Sequence, residues 1–284
     1  LYDSTTLIME VKIQSYQSSD FLSEFTTENY IVMIWKGVGV FSVDGINYSY
    51  SGYNILFLSP YQKLKVSSDS EEPVNVLLFH GDYYCIEYHK DEVACNGLLF
   101  NNIYLNPGIE LSEENYEYIL ELFNHIKKEE TENHQFSQSI IKTYIQLILA
   151  ICSKQKSGIE NNPALNEKLP NRNAVEFQKL LEGNFKKEKE LSFYSDKLNI
   201  TNNTLSKLIK KEFAKTPTQL INERIILESK KLLHLTYRSI KEIASELGFD
   251  DEFYFSRYFK KSVGCSPKQY RDKVGISVVA KMSM

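Results

Sequence analysis

The 284-residue chain is predicted to fold as two domains: an all-β N-terminal domain closed by two helices, and an all-α C-terminal domain. Three observations predict this. The apolar period changes near residue 112 from alternating to helical and does not change back. The charge divides: from Arg172 onward there are 22 Lys+Arg against 14 Asp+Glu, a net of +8, whereas residues 1–171 hold 11 against 23, a net of −12. A short helix, a tight turn and a polar-faced second helix occur twice in the last hundred residues. The length agrees, at roughly 150 residues per domain. Composition is that of a globular protein, 42% hydrophobic and 25% charged, which excludes disordered, collagen-like and mucin-like chains. The longest candidate stretch, Ile145 to Cys152 with Gln146 inside it, is far below the ~20 residues that cross a bilayer. No basic-then-apolar signal pattern opens the sequence, so no membrane partner is expected.

Residues 8–106 read as β-structure. Tyr30 to Trp35 is β-branched and aromatic. Val38 to Val43 follows a break at Gly37, and Asp44-Gly45 then supplies a hairpin turn, because glycine accepts the positive φ such a turn needs. Asn47 to Tyr50, a Ser51-Gly52 turn, Asn54 to Leu58, Lys63 to Val66 and Val74 to Phe79 complete a series of short strands. Spacing of ~8–12 residues with turns between them predicts a sandwich or small barrel.

Two helices follow, at about 113–130 and 136–154. Ser112 to Asn115 is a capping segment with acidic residues at the positive helix end. Tyr116, Ile119, Leu120, Phe123 and Ile126 then recur at helical spacing. In the second helix, Ile140, Ile141, Tyr144, Ile145, Leu147, Ile148 and Ile151 nearly encircle the axis. Such a helix needs burial on two faces. One reading gives Ile141, Tyr144, Ile145 and Ile148 to a second copy of the chain in a homodimer; the other buries the helix wholly within its own domain. Residues 1–155 thus form the first domain, 156–172 a linker of Lys, Ser, Gly, Asn and Pro composition, and 173–284 the second domain.

In the second domain the first repeat spans about 192–214. Ser192 to Leu198 precedes Asn199-Ile200-Thr201, and Thr201 is a good cap for the next helix. That helix presents Asn203, Ser206, Lys207 and Lys210 on one face, spaced i, i+3, i+4, i+7, with Leu205, Leu208 and Ile209 inside. The second repeat spans about 239–263. Ser239 to Leu247 ends at Gly248, a position that suits a helix C-terminus. In the helix that follows, Phe255 and Phe259 face inward and Glu252, Phe253, Ser256, Arg257 and Lys260 face outward. A helix from Pro217 to about His234, in the linking stretch 217–235, joins the repeats, with Pro217 in its first turn. This is helix-turn-helix logic. Arg suits guanine, Asn adenine and Ser either base, while nearby Lys neutralises phosphates. The competing reading is a plain helical bundle with solvated basic faces.

These residues carry a resemblance. The run Ile243 to Arg271, with Ile243-Ala244, Gly248-Phe249, Phe255-Ser256-Arg257, Phe259-Lys260-Lys261, Gly264-Cys265-Ser266-Pro267 and Tyr270-Arg271, closely resembles the signature of AraC/XylS-type transcription regulators. Leu205 to Lys211 leading to Thr216-Pro217 resembles the family's first reader. The resemblance covers about 173–273 and implies a seven-helix DNA-binding domain with two helix-turn-helix units. It further implies double-stranded promoter DNA and RNA polymerase as partners, activation as the usual mode, and base or backbone contacts at Asn203, Ser206, Lys207, Lys210, Glu252, Phe253, Ser256, Arg257 and Lys260. Lys207 stands where many members carry a reading Arg, and Lys lacks that planar two-pronged bond. Glu252 repels phosphate but can accept from a cytosine amino group. The N-terminal half, with Lys36 to Phe41, Asp44-Gly45, Gly52 and Leu58-Ser59-Pro60, resembles the cupin-like sensor domain of such regulators. That implies a cupin-like barrel plus two dimerising helices.

A small-molecule effector pocket is expected in the β half, lined by Trp35, Tyr48, Tyr50, Phe57 and His80; the alternative places these aromatics in the core. Cupin enzymes carry a His-x-His metal cluster, whereas the equivalent stretch here is Tyr61-Gln62-Lys63. No catalytic residue, metal or cofactor is therefore expected. The segment His80 to His89 is rich in ligand types but fits no zinc spacing. Cys85, Cys95, Cys152 and Cys265 form no C-x-x-C pair, which points to a reducing cytoplasm. Cys85 with Cys95 as a redox switch is a minor reading. Two rival functions are a cupin metalloenzyme fused to a DNA-binding module, and a regulator whose N-terminal half binds only protein partners.

Overall fold

The computed structural model describes residues 11–67, 73–81, 83–84, 98–100, 103–132, 134–160 and 171–274. The chain divides into two compact units. One comprises Leu1–Asn102 with Asn106–Ile159; the other comprises Ile103–Leu105 with Glu160–Met284.

The N-terminal unit has strands β1 Val11–Tyr16, β2 Tyr30–Lys36, β3 Gly39–Val43, β4 Ile46–Tyr50, β5 Tyr53–Leu58, β6 Leu64–Ser67, β7 Val74–Phe79 and β8 Gly108–Leu111. They form two antiparallel sheets, one in the order β1-β7-β2-β5-β8 and one in the order β4-β3-β6. The expected barrel is thus a pair of sheets among the described residues, not a closed ring. Strand β8 lies past the predicted end of β-structure at residue 106.

Helices α1 Glu113–Glu132 and α2 Ser137–Glu160 cover the outer face of the larger sheet. This makes three layers, with the five-stranded sheet in the middle. One of its faces sends Val32, Ile34, Ile55, Phe57, Leu77 and Phe79 into a core with Ile119, Phe123, Ile141, Ile145 and Ile148. The other sends Ile31, Met33, Trp35, Leu56, Leu58 and Val76 into a core with Phe41, Val43, Leu64 and Val66 of the smaller sheet. Strand β2 is consequently buried at every position from Tyr30 to Trp35, as expected where a sheet is covered on both sides.

The buried stripe of α2 is Ile141, Ile145, Ile148, Leu149 and Cys152. The residues expected to meet a second copy are therefore spent on the unit's own core: Ile141 is 1% exposed and Ile145 and Ile148 are 0% exposed. Tyr144 is half-buried, with its ring stacked 5.5 Å from His125. Helix α2 also runs to Glu160, through the start of the expected linker; residues 161–170 lie outside the described set.

The C-terminal unit has seven helices among the described residues: α3 Arg172–Asn184, α4 Leu191–Lys197, α5 Asn202–Phe213, α6 Pro217–Leu235, α7 Ile240–Glu246, α8 Glu252–Val263 and α9 Pro267–Val274. Helix α6 packs against α5, α7, α8 and α9, and its 19 residues make a rod of about 28 Å at ~1.5 Å per residue. Ile103–Leu105 belong to this unit as well. The Tyr104 hydroxyl donates to Glu182 at 3.0 Å, and the Lys215 ammonium donates to the Ile103 carbonyl at 2.9 Å.

Candidate nucleic-acid interface

Two helix pairs, α4–α5 and α7–α8, are built alike from different residues. The first helix of each pair ends in the same hydrogen-bonded turn. The Ile200 N–H donates to the Ser195 carbonyl at 3.0 Å and the Asn199 N–H to Asp196 at 3.1 Å. In the second pair the Phe249 N–H donates to Ala244 at 2.9 Å and the Gly248 N–H to Ser245 at 3.1 Å. This Schellman-type ending needs one left-handed residue, supplied by Asn199 (φ 54°) and Gly248 (φ 68°). Asparagine tolerates that conformation through its short polar side chain. At residue 248 only glycine fits, because an added Cβ would stand 2.1 Å from the Lys186 carbonyl oxygen.

Each second helix then starts on a side-chain cap. The Thr204 N–H donates to the Thr201 hydroxyl at 3.2 Å, and the Tyr254 N–H donates to the Asp251 carboxylate at 2.7 Å. Both end in a left-handed residue, Ala214 (φ 57°) and Gly264 (φ 94°). Both lead into a hydroxyl–proline–x–glutamine capping box. The Thr216 N–H donates to the Gln219 side chain at 2.8 Å, and the Ser266 N–H to the Gln269 side chain at 2.9 Å. From α5 onward the two copies therefore correspond at an offset of 50 residues. The pairs are Asn203 with Phe253, Ser206 with Ser256, Lys207 with Arg257 and Lys210 with Lys260.

Burial follows this correspondence. Leu205 and Ile209 in α5 and Phe255 and Phe259 in α8 are buried, whereas Asn203, Lys207, Lys210, Phe253, Arg257 and Lys260 are exposed. Ser206, Ser256 and Glu252 are half-buried at the edges of these faces, as is Leu208, expected inside.

In the scaffold, four cations are matched by carboxylates: Lys186 with Glu246 at 2.8 Å, Arg224 with Glu182 at 2.8 Å and Glu228 at 3.1 Å, Lys215 with Glu223 at 2.7 Å, and Arg238 with Glu246. On the outer faces of α5 and α8, Lys207, Lys210, Arg257 and Lys260 form no ion pair among the described residues. Cations left unpaired at helical spacing are available to a polyanion. The Arg257 guanidinium carries donors in the fork geometry that suits the guanine edge.

The expected effector residues converge only in part. Trp35, Tyr48 and Tyr50 gather around Phe41, with ring centroids 6.0, 5.3 and 6.0 Å from it, between the two sheets. Phe57 faces the opposite core, 5.3 Å from Phe100, because it stands one residue from Leu56 and side chains alternate along a strand. His80 sits half-buried after β7, where its carbonyl accepts from the Tyr83 N–H. Asp82 and residues 85–89 of the ligand-rich segment, and both Cys85 and Cys95, lie outside the described residues.

A cavity of about 250 Å³ does open beside Trp35, Phe41 and Tyr50, lined also by Asn54, Asn106 and Glu110. The Trp35 indole N–H and the Tyr50 hydroxyl are buried there with no hydrogen-bond partner among the described residues. Sequence reasoning missed Asn106 and Glu110, which reach the cavity from either side of the start of β8. Among the described residues, no group of three or more His, Cys, Asp or Glu side chains is arranged to hold a metal ion, and no helix is long and apolar enough to cross a membrane.

Comparison with known proteins bears on the C-terminal unit most directly. Residues 194–273 match the model of a helix-turn-helix domain. The chain is similar to the HTH-type transcriptional activator RhaS of Enterobacter sp. (strain 638), 24% identical over 247 residues, which cover 85% of this chain and 84% of that protein. It is similar to the virulence regulon transcriptional activator VirF of Yersinia enterocolitica, 28% identical over 185 residues, 65% of this chain and 63% of that one. A solved C-terminal domain of AraT, a response regulator from Geobacillus stearothermophilus, aligns with 39% of this chain and 92% of its own at 29% identity and a TM-score of 0.37. The C-terminal unit thus carries a helix-turn-helix domain, and the chain is similar to transcriptional activators that have one.

Proposed function

We propose that this protein is a sequence-specific DNA-binding transcription regulator, acting as an activator, in which α5 and α8 each enter a major groove. The observation that carries this reading is the repeated outer face of α5 and α8 in the C-terminal unit. At matching positions of two helices of the same construction, Lys207, Lys210, Arg257 and Lys260 face solvent in no ion pair among the described residues. A plain helical bundle gives no reason for that repetition. Both helices pack on α6, a rod of about 28 Å, comparable with the ~34 Å between successive major grooves on one side of a duplex. One chain can then read an asymmetric site.

The relatives named as activators support the sign of regulation and make RNA polymerase the expected protein partner. A regulator that reads chromosomal promoters works in the cytoplasm. In the N-terminal unit we place the effector function at the cavity beside Trp35 and Tyr50, whose buried unpaired donors would gain partners from a small polar ligand. Homodimerisation falls to the outer face of α2, where Leu147 is exposed beside the half-buried Ile140.

The test is binding of the full chain to duplexes enriched from a random pool. Wild type should enrich a defined sequence. Arg257→Ala should lose about 1–3 kcal/mol of discrimination at a guanine in that site. Unchanged discrimination removes Arg257 from base reading, and absence of any enrichment refutes the function.

A further inference from the structure

Phe253 is 66% exposed in the first turn of α8, and its ring meets no other ring among the described residues. Its neighbours are used by the fold. Phe255 packs 5.2 Å from Phe249 and 6.1 Å from Phe259, and Tyr254 lies 5.9 Å from Phe249. A bare phenyl group in water is unfavourable and has no polar atom to offset it. Its position is informative. Between the two reader helices, Ser206 matches Ser256, Lys207 matches Arg257 and Lys210 matches Lys260, so donor chemistry is retained at three of the four outward positions. The fourth changes from the amide of Asn203 to the phenyl of Phe253.

Asp251 and Glu252 precede the ring, and from one turn further along the helix is cationic, with Arg257, Lys260 and Lys261 exposed and in no ion pair among the described residues. That charge suits a nucleic acid and disfavours an apolar protein surface. A major groove presents one apolar group on its base edges, the C5 methyl of thymine. We propose that Phe253 is a specificity-determining base reader whose ring packs against a thymine methyl in the half-site entered by α8, while Asn203 reads an adenine in the half-site entered by α5. This rests on the DNA-reading function proposed above.

The test uses the full chain and an enriched duplex in which each thymine is replaced in turn by deoxyuridine, which removes only the methyl. Circular dichroism confirms that the variants fold. For wild type, one thymine in the α8 half-site should show a loss of affinity of roughly fourfold on replacement, the equivalent of ~0.8 kcal/mol for one apolar carbon. Phe253→Ala should bind thymine and deoxyuridine duplexes equally at that position, and Phe253→Leu should retain part of the difference. A wild type indifferent to deoxyuridine at every position would overturn the assignment, as would a deoxyuridine effect of equal size in Phe253→Ala. If Arg257→Ala still loses guanine discrimination in that case, the DNA-reading function stands and only the role of Phe253 falls. A Phe253→Ala variant with unchanged DNA affinity that fails to activate transcription with purified RNA polymerase would assign the ring to a protein partner and likewise overturn the proposal.

Discussion

Replacing Gly248 by alanine tests how tightly the second reader helix is held. The residue sits at φ 68°, and the new Cβ would stand 2.1 Å from the Lys186 carbonyl oxygen, with the Lys189 ammonium 3.1 Å away. The left-handed conformation alone costs an alanine ~1–2 kcal/mol. The contact with Lys186 is with backbone, so the turn must move. Movement strains the bond that the Lys189 ammonium makes to the Gly248 carbonyl, a further ~0.5–1.5 kcal/mol. The expected loss is therefore ~1.5–3.5 kcal/mol. Two comparators separate the terms. Gly264 has φ 94° but open space around its Cβ position, so Gly264→Ala should lose only the conformational ~1–2 kcal/mol. Ala214 already occupies the equivalent position in the first repeat at φ 57°, so Ala214→Gly should gain roughly 1 kcal/mol. Urea unfolding of the full chain followed by circular dichroism gives the midpoints. Hydrogen exchange of peptides from α7 and α8 localises the effect, and Trp35, the single tryptophan, reports the N-terminal unit separately. If Gly248→Ala proved no worse than Gly264→Ala, the close approach to Lys186 would not exist.

Three further outcomes are expected. Lys210→Ala should weaken binding to all duplexes alike and reduce the slope of log Kd against log salt by about 0.9, the value for one phosphate contact; a loss confined to one sequence would instead make Lys210 a base reader. Leu147→Asp, on the outer face of α2, should lower the sedimentation mass from dimer to monomer with helicity intact, whereas an unchanged mass would move the interface elsewhere. The Glu242 carboxylate accepts from the Ser239 N–H and hydroxyl, which hold it below its ordinary value of 4.5. A depressed carboxylate stabilises the fold above its unfolded pKa, and that contribution disappears as pH falls through the folded value. The urea midpoint of Glu242→Gln should accordingly lie below wild type at pH 7 and converge on it as pH falls below 4.5; a gap independent of pH would contradict this.

The sequence makes the C-terminal unit legible because its helices are bounded by local chemistry. Thr201, Thr216-Pro217, Ser239 and Asp251 each cap where a side chain meets nearby backbone, and the outward faces follow from helical spacing. The left-handed Asn199 and Ala214 are harder to see, since neither is glycine; the signal for them is the correspondence with Gly248 and Gly264 one repeat later. The N-terminal unit hides more. Its middle sheet is buried on both faces, so alternation is erased along β2 and β5, and Trp35 and Phe57 read alike although they enter different cores. The apolar residues of α2 encircle it, and periodicity alone cannot say that Ile141, Ile145 and Ile148 meet the protein's own sheet rather than a second copy. Those assignments depend on long-range pairing, which no local pattern encodes.

Hydroxyl-radical footprinting of the full chain on an enriched site decides whether α5 and α8 read one duplex together. Two protected tracts should lie about ten base pairs apart on one side of the helix, with Lys207→Ala weakening one tract and Arg257→Ala the other. A single tract, or one that both substitutions erase equally, would contradict it.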